Sequence, residues 1–168
     1  DGVAMPLRGE PHKVVFTGDL QTRIVTVVAV DGHRPEIRVP GSRDTAPRRL
    51  RDWLFEEARK DLAARVSHHT RTLRLKSKKI AVRDQTSRWG SCSSTGVLSF
   101  SWRLILAPPH ILDYVAAHEV AHLAEMNHGP HFWALVKKAY PEFQAAKTWL
   151  LVYGLDLHRY GSSDALAV

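Results

Sequence analysis

Two histidines and a glutamate with fixed spacing are the residues of this sequence with the clearest chemical use. His118, Glu119 and His122 lie in the segment HEVAH, late in an otherwise apolar stretch. With about 100° of rotation per residue, a helix would place the two imidazoles about 40° apart on one face, with the carboxylate beside them. This pattern is typical of a helical zinc site with its own general base. It also occurs by chance in amphipathic helices whose polar residues face solvent.

A catalytic zinc ion needs a third protein ligand and one open position for water. That ligand is expected soon after HEVAH in the sequence. The candidates are Glu125, His128, His131 and Glu142.

His128 is the predicted third ligand. It follows His122 by six residues, so in a continuous helix it would lie about 120° away from the ligand face. The helix must therefore end first. Asn127, which tolerates the left-handed conformation of a helix C-terminus, and the Gly-Pro pair at 129–130 permit that ending. His131 and Glu142 stay open as alternatives, and His131 is otherwise expected to cap the site or contact substrate.

Further motifs surround HEVAH and carry a family resemblance. Residues 88–93 read RWGSCS, residues 98–104 read LSFSWRL, and residues 127–129 read NHG. The chain resembles the YgjP-like metallopeptidases, relatives of the SprT-like and WLM zinc proteases, strongly over residues 83–153 and only in general layout before them. The resemblance implies a zincin-like fold and one Zn²⁺ per chain, held by the histidines of an HExxH motif and a third histidine six residues later. Those ligands map onto His118, His122 and His128, while His131 departs from many relatives.

Length and composition agree with one soluble domain of the size of an enzyme. The chain has 168 residues, 44% of them hydrophobic, which is enough for a single core. No apolar run approaches the roughly 20 residues that cross a bilayer, so no membrane association is expected. No segment has the order of a signal peptide, and Cys92 is the only cysteine, which together predict a cytoplasmic protein. Cys92 is expected to be a small packed residue in its turn.

The net charge of +7 leaves nucleic-acid binding open. Basic residues concentrate between positions 43 and 88, but acidic residues such as Asp52 and Glu56 interleave with part of that stretch, as on a solvated helix face. No aromatic residues alternate with the basic ones as a base-stacking platform requires.

Hydrophobic periodicity predicts the α+β elements that position these residues. Strands at 13–16, 23–30 and 35–39 are expected to form a β meander, followed by an amphipathic helix over 48–70 and a strand over 79–84. Residues 88–93 read as an irregular turn and 97–106 as two short strands or one bent strand. Pro108-Pro109 opens the metal helix, and two further helices are predicted at 130–140 and 142–153, the second closed by Gly154.

These elements predict a single zincin-like domain in which a small antiparallel sheet packs on helices. Residues 1–42 form the N-terminal meander and connector of that domain, residues 43–156 its metallopeptidase core, and residues 157–168 a flexible tail. Residues 96–102 are the predicted edge strand that would pair with an extended substrate. Arg88, Trp89, Arg103 and Tyr153 are further candidates for contacts with substrate or metal ligands, and for Arg88 and Trp89 a packing role is the alternative.

The predicted function is zinc-dependent hydrolysis of peptides or unfolded proteins. Zinc held by the three histidines would acidify a water molecule and polarise the scissile carbonyl, and Glu119 would act as general base. Two alternatives remain. One is a DNA-associated, SprT-like protease acting on proteins bound to nucleic acid. The other is a non-catalytic, zinc-stabilised binding module, which predicts four protein ligands.

Overall fold

The chain folds into two small sheets and four α-helices, the α+β class that the sequence predicts. The structure is a computed structural model and describes residues 2–161. The strands are β1 (Ala4–Leu7), β2 (Glu10–Phe16), β3 (Thr26–Val28), β4 (Glu36–Val39), β5 (Lys79–Arg83), β6 (Gly90–Cys92) and β7 (Val97–Ser101). The helices are α1 (Ala46–Leu73), α2 (Pro109–Ala121), α3 (Pro130–Ala139) and α4 (Phe143–Leu157), with a 3₁₀ helix (Trp102–Ile105) before α2.

The N-terminal sheet is not the predicted meander. Its strand order is β1-β2-β4-β3, and β2 pairs in parallel with β4, with Val14 opposite Ile37. Val14, Ile37 and Val39 of the central pair are buried, and so are Met5 and Leu7 of the outer strand β1, whereas the other outer strand, β3, is largely exposed. The strand β1, which the sequence pattern does not predict, completes the sheet.

Helix α1 confirms the predicted amphipathic helix and extends it at both ends. A buried row repeats every four residues and packs the helix on the core; it consists of Ala46, Leu50, Leu54, Ala58, Leu62 and Val66. Pro47 suits the first turn, where a helix leaves backbone N–H groups without partners. The helix ends where Arg74 adopts a left-handed conformation (φ 56°) that turns the chain towards β5.

The second sheet brings the segments before HEVAH against the metal helix. Its strand order is β5-β7-β6, so β7 is paired on both sides, in parallel with β5 and antiparallel with β6. The prediction that residues 96–102 form an edge strand is therefore wrong. The turn predicted at 88–93 contains β6 instead, and both sheets mix parallel with antiparallel pairs, so the small sheet is not purely antiparallel.

The last described residues continue the fold beyond the helix end predicted at Gly154. Helix α4 continues through Gly154, which comes so close to the Trp89 ring that an added Cβ would lie 3.1 Å from Cζ2. Beyond the helix, Arg103 Nε donates to the Tyr160 carbonyl oxygen at 3.0 Å. The chain is thus fixed by contacts past the boundary predicted at 157, and residues 162–168 lie outside the described residues.

One hydrophobic cluster joins both sheets and all four helices into a single domain. In the part of the chain that the structure describes, no helix is long and apolar enough to cross a bilayer.

Candidate metal centre

Helix α2 brings His118 and Glu119 to the floor of a cleft. Pro109 begins the helix, and its interior is almost wholly apolar and buried. Glu119 lies on this buried side and is only 5% exposed. A carboxylate in such a place is costly unless it is protonated, paired or close to a cation. Its burial indicates a functional rather than a packing role.

The chain leaves α2 through a tight turn that carries His122 and then His128. The helix ends at Ala121, and Leu123 N–H donates to the Val120 carbonyl at 3.0 Å in the 3₁₀ manner. The predicted end before His128 is confirmed, but it does not use Asn127, since Arg8 and Arg74 are the only non-glycine residues with positive φ among those described.

The three predicted imidazoles converge. His118, His122 and His128 each offer one ring nitrogen, and these atoms lie within 4.8 Å of one another. The Nε2 atoms of His122 and His128 are 3.0 Å apart. Two nitrogens bound tetrahedrally to one zinc at about 2.05 Å would be about 3.3 Å apart. The donor set therefore fits one divalent ion, and no fourth His, Cys, Asp or Glu joins this group within residues 2–161.

Hydrogen bonds orient two of the imidazoles through their other nitrogens. His122 Nδ1 lies 2.9 Å from the Glu125 carbonyl oxygen, which can only accept, so Nδ1 carries the proton and Nε2 keeps its lone pair. His118 Nδ1 lies 3.2 Å from the hydroxyl of Tyr114, one turn earlier in α2. Such partners fix the tautomer and the ring orientation of a metal ligand. Nothing in the spacing of Tyr114 within the sequence distinguishes this role from that of a packed helix residue.

Burial favours the neutral forms of His118 and His122. It lowers the pKa of His118 to about 3, and the positive charges that His122, His128 and Lys147 would carry lower it further. Burial also lowers the pKa of His122, against its hydrogen bond to the Glu125 carbonyl. Neutral imidazoles retain the lone pairs that metal binding requires.

Glu119 is held between the metal helix and β6. Its Oε2 lies 4.0 Å from His118 Nε2. A Cβ added to Gly90 would lie 2.8 Å from Glu119 Cγ and 2.9 Å from Oε2, so only glycine leaves room there. Burial raises the pKa of Glu119 to about 8, partly offset by the positive charge of Arg88. A carboxyl group with a pKa near neutrality can both accept and release a proton at working pH.

Phe132 forms the apolar wall behind the metal ligands. It is fully buried, and its ring centroid lies 4.9 Å from that of His118, 4.4 Å from His122 and 4.9 Å from His128. Since α3 begins with Pro130, the helix start places Phe132 directly after the turn that delivers His128. Phe132 thus anchors the turn that delivers His128 to the core.

The cleft in front of the ligands has a volume of about 340 Å³. Its walls come from α2, from the turn that follows it and from β6. They are lined by Arg88, Gly90, Ser91, Cys92, His118, Glu119, His122, Met126 and His128. Cys92 is predicted to be a packed turn residue, but it lines the cleft. Its position there depends on the pairing of β6 with β7, which the local sequence does not reveal.

The other predicted site residues separate into one that lines the cleft and several that do not. Arg88 is exposed at the cleft. Trp89 packs against Gly154 and His158, which is the packing role. Arg103 is 3% exposed, pairs with Asp84 and does not line the cleft.

Tyr153 and His131 also lie outside the cleft lining. Tyr153 is half-exposed on α4 with its ring against Trp149, and His131 is exposed in the first turn of α3. Neither residue, nor Glu142, belongs to the histidine cluster.

Comparisons with known proteins found a matching family model and a similar solved structure. The model of the YgjP-like, metallopeptidase domain family matches residues 1–152. The crystal structure of the metallopeptidase zymogen abylysin of Pyrococcus abyssi is similar with a TM-score of 0.49 and 18% identity, over 55% of this chain and 92% of that chain. Among curated proteins, none matches the chain.

Proposed function

The chain belongs to the YgjP-like metallopeptidase family, and we propose that it hydrolyses peptide bonds of peptides or unfolded proteins with one zinc ion. His118, His122 and His128 would hold the ion, and Glu119 would be the general base. The observation that carries this proposal is the buried carboxyl of Glu119 beside three converging imidazoles in an open cleft. A family of metallopeptidases implies a divalent metal, and an all-imidazole donor set favours zinc.

The chain's own groups account for the proton transfers. When bound, zinc acidifies a water molecule and polarises the scissile carbonyl. Glu119 would accept the proton of the attacking water and deliver it to the leaving amine. Burial raises its pKa to about 8, which favours the protonated form at neutral pH. The charge of a bound cation would lower that pKa towards the working range of a base.

The substrate would lie along β6 rather than β7. β6 is the outer strand of its sheet on the cleft side, and its residues Gly90–Cys92 line the cleft. An extended peptide can add to such a strand through backbone hydrogen bonds, largely without regard to sequence. This corrects the predicted position of the substrate strand and keeps its predicted function.

The non-catalytic alternative is less well supported. A structural zinc site is closed by four protein ligands. Within the described residues the cluster has three, and Cys92 lines the same cleft without joining them.

Cleavage of casein by the zinc-loaded protein tests the proposal. Glu119→Gln should abolish cleavage and retain zinc, whereas Glu125→Gln, the same change at a carboxylate that does not line the cleft, should keep both. Cleavage by Glu119→Gln at the wild-type rate would refute the role of the general base. Zinc binding without cleavage by any variant would favour the binding module.

A further inference from the structure

A surface of uncompensated positive charge lies at the end of α1 and along β5. Between positions 62 and 83 the sequence has seven Lys and Arg residues and no Asp or Glu. Arg65 pairs with Asp113. The other six are exposed and form no ion pair within residues 2–161; we call them the basic surface: Arg71, Arg74, Lys76, Lys78, Lys79 and Arg83.

The fold holds these side chains outward along one continuous stretch. Leu73 and Leu75 pack on the core, so Arg74 and Lys76, which alternate with them, are left in solvent. In β5, Lys79 and Arg83 are four residues apart and share one face of the strand, since strand side chains alternate.

Protection of a sheet edge does not account for this surface. Lysines on an outer strand prevent pairing with other chains, which would explain the charges of β5 itself. It does not explain Arg71, Arg74 and Lys76, which precede the strand. Earlier in α1 the cations are compensated, as in the Arg59–Glu56 pair at 2.6 Å. The excess of charge is therefore local.

We propose that the basic surface binds the phosphate backbone of a nucleic-acid duplex. Lys and Arg side chains are the usual phosphate contacts and need no particular sequence. Residues 62–83 contain no Phe, Tyr or Trp that would stack on unpaired bases, which disfavours a single strand. They also contain no large exposed hydrophobic residue that would insert into a membrane.

The basic surface adjoins the cleft without forming part of it. Lys78 N–H donates to the Gly96 carbonyl at 2.8 Å in the turn between β6 and β7. A Cβ on Gly96 would lie 3.8 Å from a methyl carbon of Leu123, the residue after His122. One turn thus connects the basic surface with the chain that leaves the metal helix, and none of the six cations lines the cleft.

Fluorescence anisotropy with a labelled 20-base-pair duplex of random sequence would test this proposal. If all six cations contact phosphates, log K should fall with log salt with a slope of about −5, which is about a thousandfold loss between 50 and 200 mM salt. The triple variant Lys76→Glu, Lys78→Glu, Lys79→Glu should weaken binding at least tenfold and reduce the slope to about −3.

A charge-matched triple reversal controls for net charge. Lys13, Lys137 and Lys138 are exposed and lie outside the basic surface, and their change to Glu lowers the formal net charge equally. Near-wild-type binding by this control, with weak binding by the first triple, is the expected result. Equal losses in both triples, no duplex binding at 50 mM salt, or binding of anionic phosphatidylserine vesicles but not of duplex would each overturn the proposal.

Discussion

Replacement of Phe132 by leucine should weaken zinc binding in addition to destabilising the fold. Phe132 is fully buried, and removal of ring atoms from a packed core leaves a cavity that costs about 1–2 kcal/mol. Its ring also contacts all three imidazoles at centroid distances of 4.4–4.9 Å. Loss of groups that orient metal ligands typically lowers affinity about 10- to 100-fold. A tenfold loss, about 1.4 kcal/mol, is expected here because leucine still fills part of the space.

Phe100→Leu is the matched control. Phe100 is equally buried, in β7, and within the described residues its ring makes no contact with the three imidazoles. Urea unfolding of the metal-free proteins should show that both variants lose a similar amount of the free energy of unfolding. Competition with a chromophoric chelator should show weaker zinc binding only for Phe132→Leu. Equal zinc affinities of the two variants would refute the view that Phe132 orients the ligands.

Two further predictions concern the close approach at β6 and the tie between α1 and α2. Gly90→Ala should sharply reduce casein cleavage with zinc retained, because the added Cβ would lie 2.8 Å from Glu119 Cγ. Ser91→Ala is the control. Full activity of Gly90→Ala would contradict the importance of this contact. Asp113→Asn should lower the free energy of unfolding by about 2–3 kcal/mol at pH 7, since Asp113 accepts from Arg65 at 2.8 Å and lies 2.6 Å from His69 Nε2. Burial raises the pKa of Asp113, but the hydrogen bonds to His69 and Arg65 outweigh this effect and hold the pKa below its usual value. The ionised carboxylate therefore contributes to the free energy of unfolding above about pH 4, and this contribution is lost as the pH falls further. Urea melts should show a smaller difference between wild type and variant at pH 3 than at pH 7; an equal difference at both pH values would contradict the ionic origin.

The sequence predicts the convergence of the three imidazoles because most of this arrangement is local. His118, Glu119 and His122 lie within one helical turn of each other, so their geometry follows from helix periodicity alone. Whether His128 reaches the other two histidines depends only on where that helix ends. Pro130 at the start of α3 requires α2 to end before it.

Residues whose roles depend on distant partners could not be assigned from the sequence. Arg103 appeared available for substrate, but its guanidinium pairs with Asp84 and donates to the Tyr160 carbonyl. Gly154 is predicted to end its helix, but the helix continues through it. The glycine instead leaves room for the ring of Trp89, 65 positions earlier in the sequence. Periodicity carries no information on such contacts.

The order of the strands in each sheet could not be predicted from the sequence for the same reason. The pattern of β7 predicts a strand but not that β5 and β6 would occupy both of its edges. Likewise, the alternation in β2 and β4 predicts two strands with one buried face each and leaves open that they pair in parallel. Strand neighbours are fixed by burial of whole faces in the folded core, which a single segment does not encode.

Zinc stoichiometry by elemental analysis of the wild type, His128→Ala and His131→Ala tests the central claim most directly. The three-imidazole centre predicts one zinc per chain in the wild type and in His131→Ala, whose side chain is exposed outside the cluster. It predicts strongly reduced zinc in His128→Ala, which leaves two ligands. Full zinc in His128→Ala, or none in the wild type, would contradict it.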